Sequence, residues 1–196
     1  MFSIVGFWII SFLWGITCSL PHTLGSTSPY PGHVYSRAFG LILFILGWIT
    51  ETRSDYQKWI FKHSLADRAK FCNIGLWSLS QHPNFFGNLL LWLGILVMNA
   101  DSLIERGLLV RHNPLRAQSF ASLLWNSRRL FLALLSPCFM FLLFHGQAKG
   151  SITNSVQLAI QKYGGRPDGL FERYIQETPL IFPRNLGAWL YQTLKL

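Results

Sequence analysis

Apolar residues in this chain gather into four long runs separated by polar stretches. The first, residues 3–20, is uncharged and ends at Pro21. At 1.5 Å per residue it reaches about 27 Å, close to the thickness of a bilayer's hydrocarbon core. Residues 21–32 hold three Pro, two Gly and several Ser/Thr, which predicts a loop. A second run covers 38–50, and residues 34–37 extend it outward with Arg37 snorkelling to the interface. A polar stretch, 51–84, precedes a third run at 85–100. An Arg-rich, semi-apolar segment, 101–129, precedes a fourth at 130–145, where Pro137 is tolerable as a kink. The tail from Lys149 is mixed and mostly polar, with Trp189 and Tyr191 placed to anchor at an interface. The expected fold is all-α, a polytopic membrane helix bundle with about four apolar segments.

Composition agrees. Only 13% of residues are charged and 51% are hydrophobic, with a mean hydropathy of +0.30, whereas soluble domains carry about 25% charge. The net charge of +9 raises nucleic acid as a partner. The basic residues are dispersed between apolar segments, however, so the bilayer is the expected partner and nucleic acid is not. Cys18, Cys72 and Cys138 show neither a disulfide framework nor zinc spacing, so no metal is expected. The first run lacks a basic region before it and reads as a retained helix rather than a signal peptide. Of 17 Lys and Arg, one precedes residue 38 and five fall in 51–84, which places 51–84 in the cytosol and 21–32 opposite. Strict alternation then puts 101–129 and its five Arg outside, against the same rule. Either the third run is re-entrant or 101–129 lies along the membrane surface.

Two polar constellations stand at the membrane edge. Glu51, Asp55, Lys58 and Lys62 fall at i, i+4, i+7 and i+11, one face of a helix continuing out of the second run. Such a stripe can grip a cofactor's amide, ribose and phosphates, or it can be a solvated helix end with i,i+4 pairing. His82-Pro83-Asn84 stands at the entrance to the third run, with Pro83 suited to the first helical position if His82 caps the helix. Asn84 and Asn88, at i, i+4, place amides at the mouth of an apolar bundle, where buried polar groups tend to be functional. The alternative is an ordinary helix start.

The combined pattern, Glu51-x3-Asp55-x2-Lys58-x2-Phe61 followed by Gly75-Leu-Trp-x-x-Ser-Gln-His-Pro-Asn-Phe-Phe-Gly-Asn88 and Trp92, resembles the C-terminal region of the steroid 5-alpha-reductase-like family. The tail Phe171-Glu-Arg-Tyr174-x3-Thr178-x4-Pro183 resembles that family's closing segment. The resemblance covers 40–183 and divides the chain into an N-terminal helix and loop (1–37), a steroid-reductase-like membrane domain (38–183, with 101–129 as an insertion) and a C-terminal tail (184–196). It implies a membrane-bound oxidoreductase that reduces a C=C bond of a steroid or other lipid with NADPH, in the endoplasmic reticulum membrane. The cofactor-binding positions carried over are Glu51, Asp55, Lys58, Lys62, His82 and Asn84, with Arg173 and Tyr174 in the closing segment. Lys62 is the expected phosphate partner.

Gln81, Phe85 and Asn88 stand where the family has Arg, Tyr and Glu. Gln81 and Asn88 could compensate as a neutral pair, or they could mark an altered or lost activity. Only one span precedes the matched region, so the catalytic proton donor is unassigned. An S-adenosylmethionine-dependent isoprenylcysteine-type methyltransferase has a similar motif and is the first rival. A non-catalytic membrane protein retaining the fold is the second.

Overall fold

The computed structural model describes residues 2–29, 32–64, 69–104, 124–152 and 154–195. The helices among them are α1 (Phe2–Ser26), α2 (Val34–His63), α3 (Pro83–Asn99), α4 (Arg128–Ala148), α5 (Ser155–Tyr163), α6 (Leu170–Glu177) and α7 (Leu186–Leu194). Short 3-10 turns lie at Gly75–Ser78 and Ala100–Leu103, and no strand occurs among the described residues. Four segments are long and apolar enough to cross a membrane: Ile4–Ser26, Val34–His63, Pro83–Leu103 and Arg128–Ala148. Phe7 and Trp8 are 64% and 67% exposed, a surface that suits lipid and not water. The chain is an all-helical, multi-pass membrane protein, as its four apolar runs predict.

Two local expectations fail. α1 does not stop at Pro21 but runs through it to Ser26, with Pro21 fully buried, so the connection to α2 begins only at Thr27. In a bilayer no water rewards unwinding, and local side chains help to satisfy the helix. Ser19 Oγ donates to the Ile16 carbonyl at 2.8 Å, and Thr27 Oγ1 to the Thr23 carbonyl at 2.9 Å. The tail, polar on average, folds into three short helices that bury Phe171, Trp189 and Thr193 while Leu158, Leu170, Leu186 and Leu190 stay exposed. Trp189 is buried against the Phe86 ring, edge to face at 5.3 Å, rather than anchoring at an interface, while Tyr191 is exposed. Residues 105–123 of the expected insertion lie outside the described residues.

The chain divides into two compact units. In the first, Met1–Phe44 with Trp92–Met140, Leu96, Leu103 and Ala133 form a buried cluster backed by Leu24, Leu130 and Leu134. Here α2 and α3 meet backbone to backbone. A Cβ added to Gly94 would fall 2.6 Å from the Phe44 nitrogen and 2.7 Å from the Gly40 carbonyl oxygen. Ser36 Oγ also donates to the Val97 carbonyl at 2.6 Å.

The second unit, Ile45–Leu91 with Phe141–Leu196, repeats the close approach. A Cβ on Gly47 would lie 2.5 Å from the Gly87 oxygen, and one on Gly87 would lie 2.6 Å from the Glu51 nitrogen. Small residues at both contacts are what lets membrane helices pack this tightly. Thr50 and Thr193, both fully buried, share a hydroxyl hydrogen bond at 3.2 Å. That bond ties α7 to α2.

Candidate functional site

The second unit carries the polar groups. Two turns of α2 present Glu51 and Asp55, and the first two turns of α3 present Asn84 and Asn88. Helices that approach as closely as Gly47 and Gly87 allow bring these side chains together. Asn88 Nδ2 donates to Glu51 Oε1 at 2.8 Å, and the Asn84 side chain stands within electrostatic reach of the Asp55 carboxylate. The result is a ladder of two carboxylate–amide rungs. Asn84 Oδ1 and Asn88 Oδ1 are buried with no hydrogen-bond partner. Buried acceptors left open are costly, so two on adjacent rungs suggest donors supplied from elsewhere.

Beyond the ladder, the Gly75-Leu-Trp segment is fastened to α2. Gly75 adopts φ +58°, a conformation that costs glycine little. Gln57 Oε1 accepts from the Leu76 N–H at 3.1 Å, and Trp77 Nε1 donates to the Ser54 carbonyl at 2.8 Å. The closing segment covers the same loop from its other side. Tyr174 Oη donates to the Trp77 carbonyl at 2.8 Å, Gln81 N–H to Pro179 at 2.9 Å, and Ser80 Oγ to Ile181 at 2.7 Å. His82 N–H donates in turn to Ser80 Oγ at 3.1 Å, and α3 begins at Pro83 with the His82 carbonyl accepting from Phe86 N–H. His82 thus caps the helix. The motif and the closing segment are partners in one packed structure.

Gln81 and Asn88 do not pair. Gln81 Nε2 donates to the Thr178 and Ile175 carbonyls at 2.6 and 2.9 Å, whereas Asn88 serves Glu51. Each neutral side chain has its own structural role, so the expected mutual compensation is replaced by two separate accommodations.

Between this loop, the end of α4 and helices α5 and α6 lies a cavity of about 530 Å³. Among the described residues that line it, the cations are Lys58, Lys62 and Lys149, and none is a carboxylate. Phe71, Trp77 and Phe171 supply aromatic wall, and Gln81, His82, Tyr163 and Tyr174 supply polar groups. The Lys58 ammonium rests over the Trp77 ring, 4.4 Å from its centroid. Lys62 Nζ donates to the Tyr163 hydroxyl at 2.8 Å and to the Lys70 carbonyl. His82 stacks on Phe85 at 4.8 Å, and Phe85 stacks on Phe144 at 4.6 Å.

Electrostatics follow from burial and from these lysines. Burial, aided by Lys58, lowers the His82 pKa to about 4, so the imidazole is neutral at physiological pH. Burial also raises Tyr174 and Cys72, keeping both protonated. At Tyr163 burial alone would raise the pKa, but the Lys62 hydrogen bond and the charges of Lys62 and Lys162 outweigh it and lower the phenol. The three lysines give the cavity lining a positive charge.

Of the residues singled out from sequence, Lys58, Lys62, His82 and Tyr174 line the cavity. Glu51, Asp55 and Asn84 lie in the ladder beside it, with Asp55 close enough to feel the Lys58 charge. Arg173 is exposed on α6 and does not line the cavity. Lys149 and Tyr163 also line the cavity. Nothing in the sequence marks Lys149, a lone lysine after an apolar run, and Tyr163 is recognisable only once α5 folds over the cavity.

No curated protein and no solved structure matches the chain. The model of one family, described as "Protein of unknown function (DUF1295)", matches residues 1–121, a stretch that holds α1 to α3, the ladder, Lys58, Lys62 and His82. With well over half its length covered, the chain belongs to the DUF1295 family.

Proposed function

We propose that this protein is a membrane-bound reductase of the steroid 5-alpha-reductase-like type, using NADPH to saturate a C=C bond in a steroid or other lipid. The observation that carries the proposal is the pairing, on one face of α2, of a carboxylate–amide ladder holding two unpartnered acceptors with a lysine-lined cavity. Glu51 and Lys62 are eleven residues apart, a rise of about 16 Å along the helix. That separation lets the ladder and the lysines hold opposite ends of one elongated, anionic molecule.

The residues present fit such a cofactor. Asn84 Oδ1 and Asn88 Oδ1 are acceptors for the carboxamide N–H of a nicotinamide, held in place by Asp55 and Glu51. Lys58 and Lys62 supply charge for phosphates, and the aromatic walls offer faces on which a base can stack. Neutral His82 supplies a ring nitrogen without adding charge. When bound, the reduced nicotinamide would supply the hydride. Three lysines and no carboxylate among the described residues of the cavity lining make it a poor host for the sulfonium cation of S-adenosylmethionine, which weighs against the methyltransferase rival.

Incubation of the detergent-purified protein with NADPH deuterated at the transferable position, together with lipid enones, tests the activity. Deuterium appearing on one carbon of a saturated lipid product is the expected outcome. A lipid pool without any deuterated product would count against the reductase assignment.

A further inference from the structure

Resting on the dinucleotide assignment above, we infer that Lys149 is the residue that selects a phosphorylated dinucleotide over its unphosphorylated counterpart. The three cavity lysines are not equivalent. Lys62 is half-buried, and its ammonium already donates to the Tyr163 hydroxyl and the Lys70 carbonyl. Lys58 is held over the Trp77 indole and lies beside Asp55, whose charge offsets part of its own. Lys149 reaches the cavity from the end of α4 and is exposed, and its ammonium has no partner among the described residues.

A phosphomonoester carries nearly two negative charges at neutral pH and presents three strong acceptor oxygens. An uncommitted ammonium serves it better than one that must first give up a phenol or an indole. Position agrees with availability. The ladder binds at Glu51 and Asp55, the α2 lysines follow at 58 and 62, and Lys149 faces the cavity from a different helix. Lys149 therefore reaches the cavity apart from Lys58 and Lys62, and serves a charged group that the α2 lysines do not hold. Ala148 is buried and Gly150 turns the chain at φ +74°, which fixes the backbone on both sides of this lysine.

The test is direct binding of NADPH, NADH and adenosine 2′,5′-bisphosphate to the full chain in detergent, for wild type, Lys149→Ala and Lys149→Arg. Loss of a charge-assisted contact predicts that Lys149→Ala weakens NADPH and the bisphosphate by roughly tenfold or more and leaves NADH unchanged. Lys149→Arg restores the preference, and higher salt narrows it in wild type. Equal losses for NADPH and NADH, or no loss for either, would overturn the role of Lys149 while leaving the dinucleotide assignment standing. A wild-type protein that binds neither dinucleotide would remove that assignment, and this inference with it. Thermal stability of the variants, measured in parallel, separates a lost contact from a lost fold, since an exposed lysine contributes little packing.

Discussion

The two halves of α2 pack by the same device but hold different chemistry. In the first unit Gly40 meets Gly94, Ser36 bonds to the Val97 carbonyl, and the surrounding cluster is Leu and Ala. In the second, Gly47 meets Gly87, and the next turns bring Glu51 and Asp55 onto Asn88 and Asn84. Close packing in the first half needs only small residues. In the second half it also sets the separation at which carboxylates and amides meet, so the glycines there govern the site as well as the fold.

The largest effect should come from breaking that approach. Gly87→Leu would drive a side chain into the Glu51 backbone and the Gly47 carbonyl, where neither neighbour is a flexible chain end. A loss of about 3 kcal/mol is expected, at the upper end of ordinary overpacking. Thermal denaturation followed by size-exclusion chromatography in detergent would record it. Gly6→Leu, with nothing within 4 Å, should leave the same profile unchanged.

Next in size is the ladder itself. Asn88→Ala leaves the half-buried Glu51 carboxylate without its amide donor, which predicts a loss of about 1–3 kcal/mol. Asn88→Asp places two acids together and should be more destabilising at pH 7 than at pH 5. If neither variant shifts the melting temperature, the rung contributes nothing and the contrast between the two halves of α2 loses its polar part.

A smaller effect is expected from His82. Its folded pKa, about 4, lies below the ordinary value of 6.5, so the unfolded chain binds the proton more readily. Stability should be flat above pH 6.5 and decline as pH falls toward 4, by about 2 kcal/mol over that window. His82→Gln should flatten the decline. A melting temperature that is independent of pH in both proteins would show that the imidazole is not held neutral by its surroundings.

The sequence made the spans legible because a helix in lipid must be apolar over its whole length, and the four runs answer that requirement directly. It made the α2 face legible through the spacing of Glu51, Asp55, Lys58 and Lys62. What could not be read was which partner each polar residue takes. Gln81 and Asn88 look like a complementary pair of substitutions, yet Gln81 turns to the carbonyls at 175 and 178, which are distant in sequence. Gly40 and Gly47, like Gly87 and Gly94, are seven residues apart, and that period is visible in the sequence. Its meaning depends on which helix lies opposite. Pro21 shows the same limit, since a proline that ends a helix in water is carried inside one in a membrane.

Binding of a phosphorylated nicotinamide dinucleotide by the second half of α2 and its lysine-lined cavity is the proposal on which the rest depends. The most direct test is equilibrium binding of NADPH and, separately, S-adenosylmethionine to the detergent-purified protein, with wild type compared to Asn84→Ala and Lys62→Ala at two ionic strengths. NADPH should bind and S-adenosylmethionine should not. Each variant should weaken NADPH, Asn84→Ala by about 1–3 kcal/mol, and rising salt should weaken the wild-type complex. Binding of S-adenosylmethionine, of neither compound, or of NADPH with equal affinity in all three proteins would contradict the proposal.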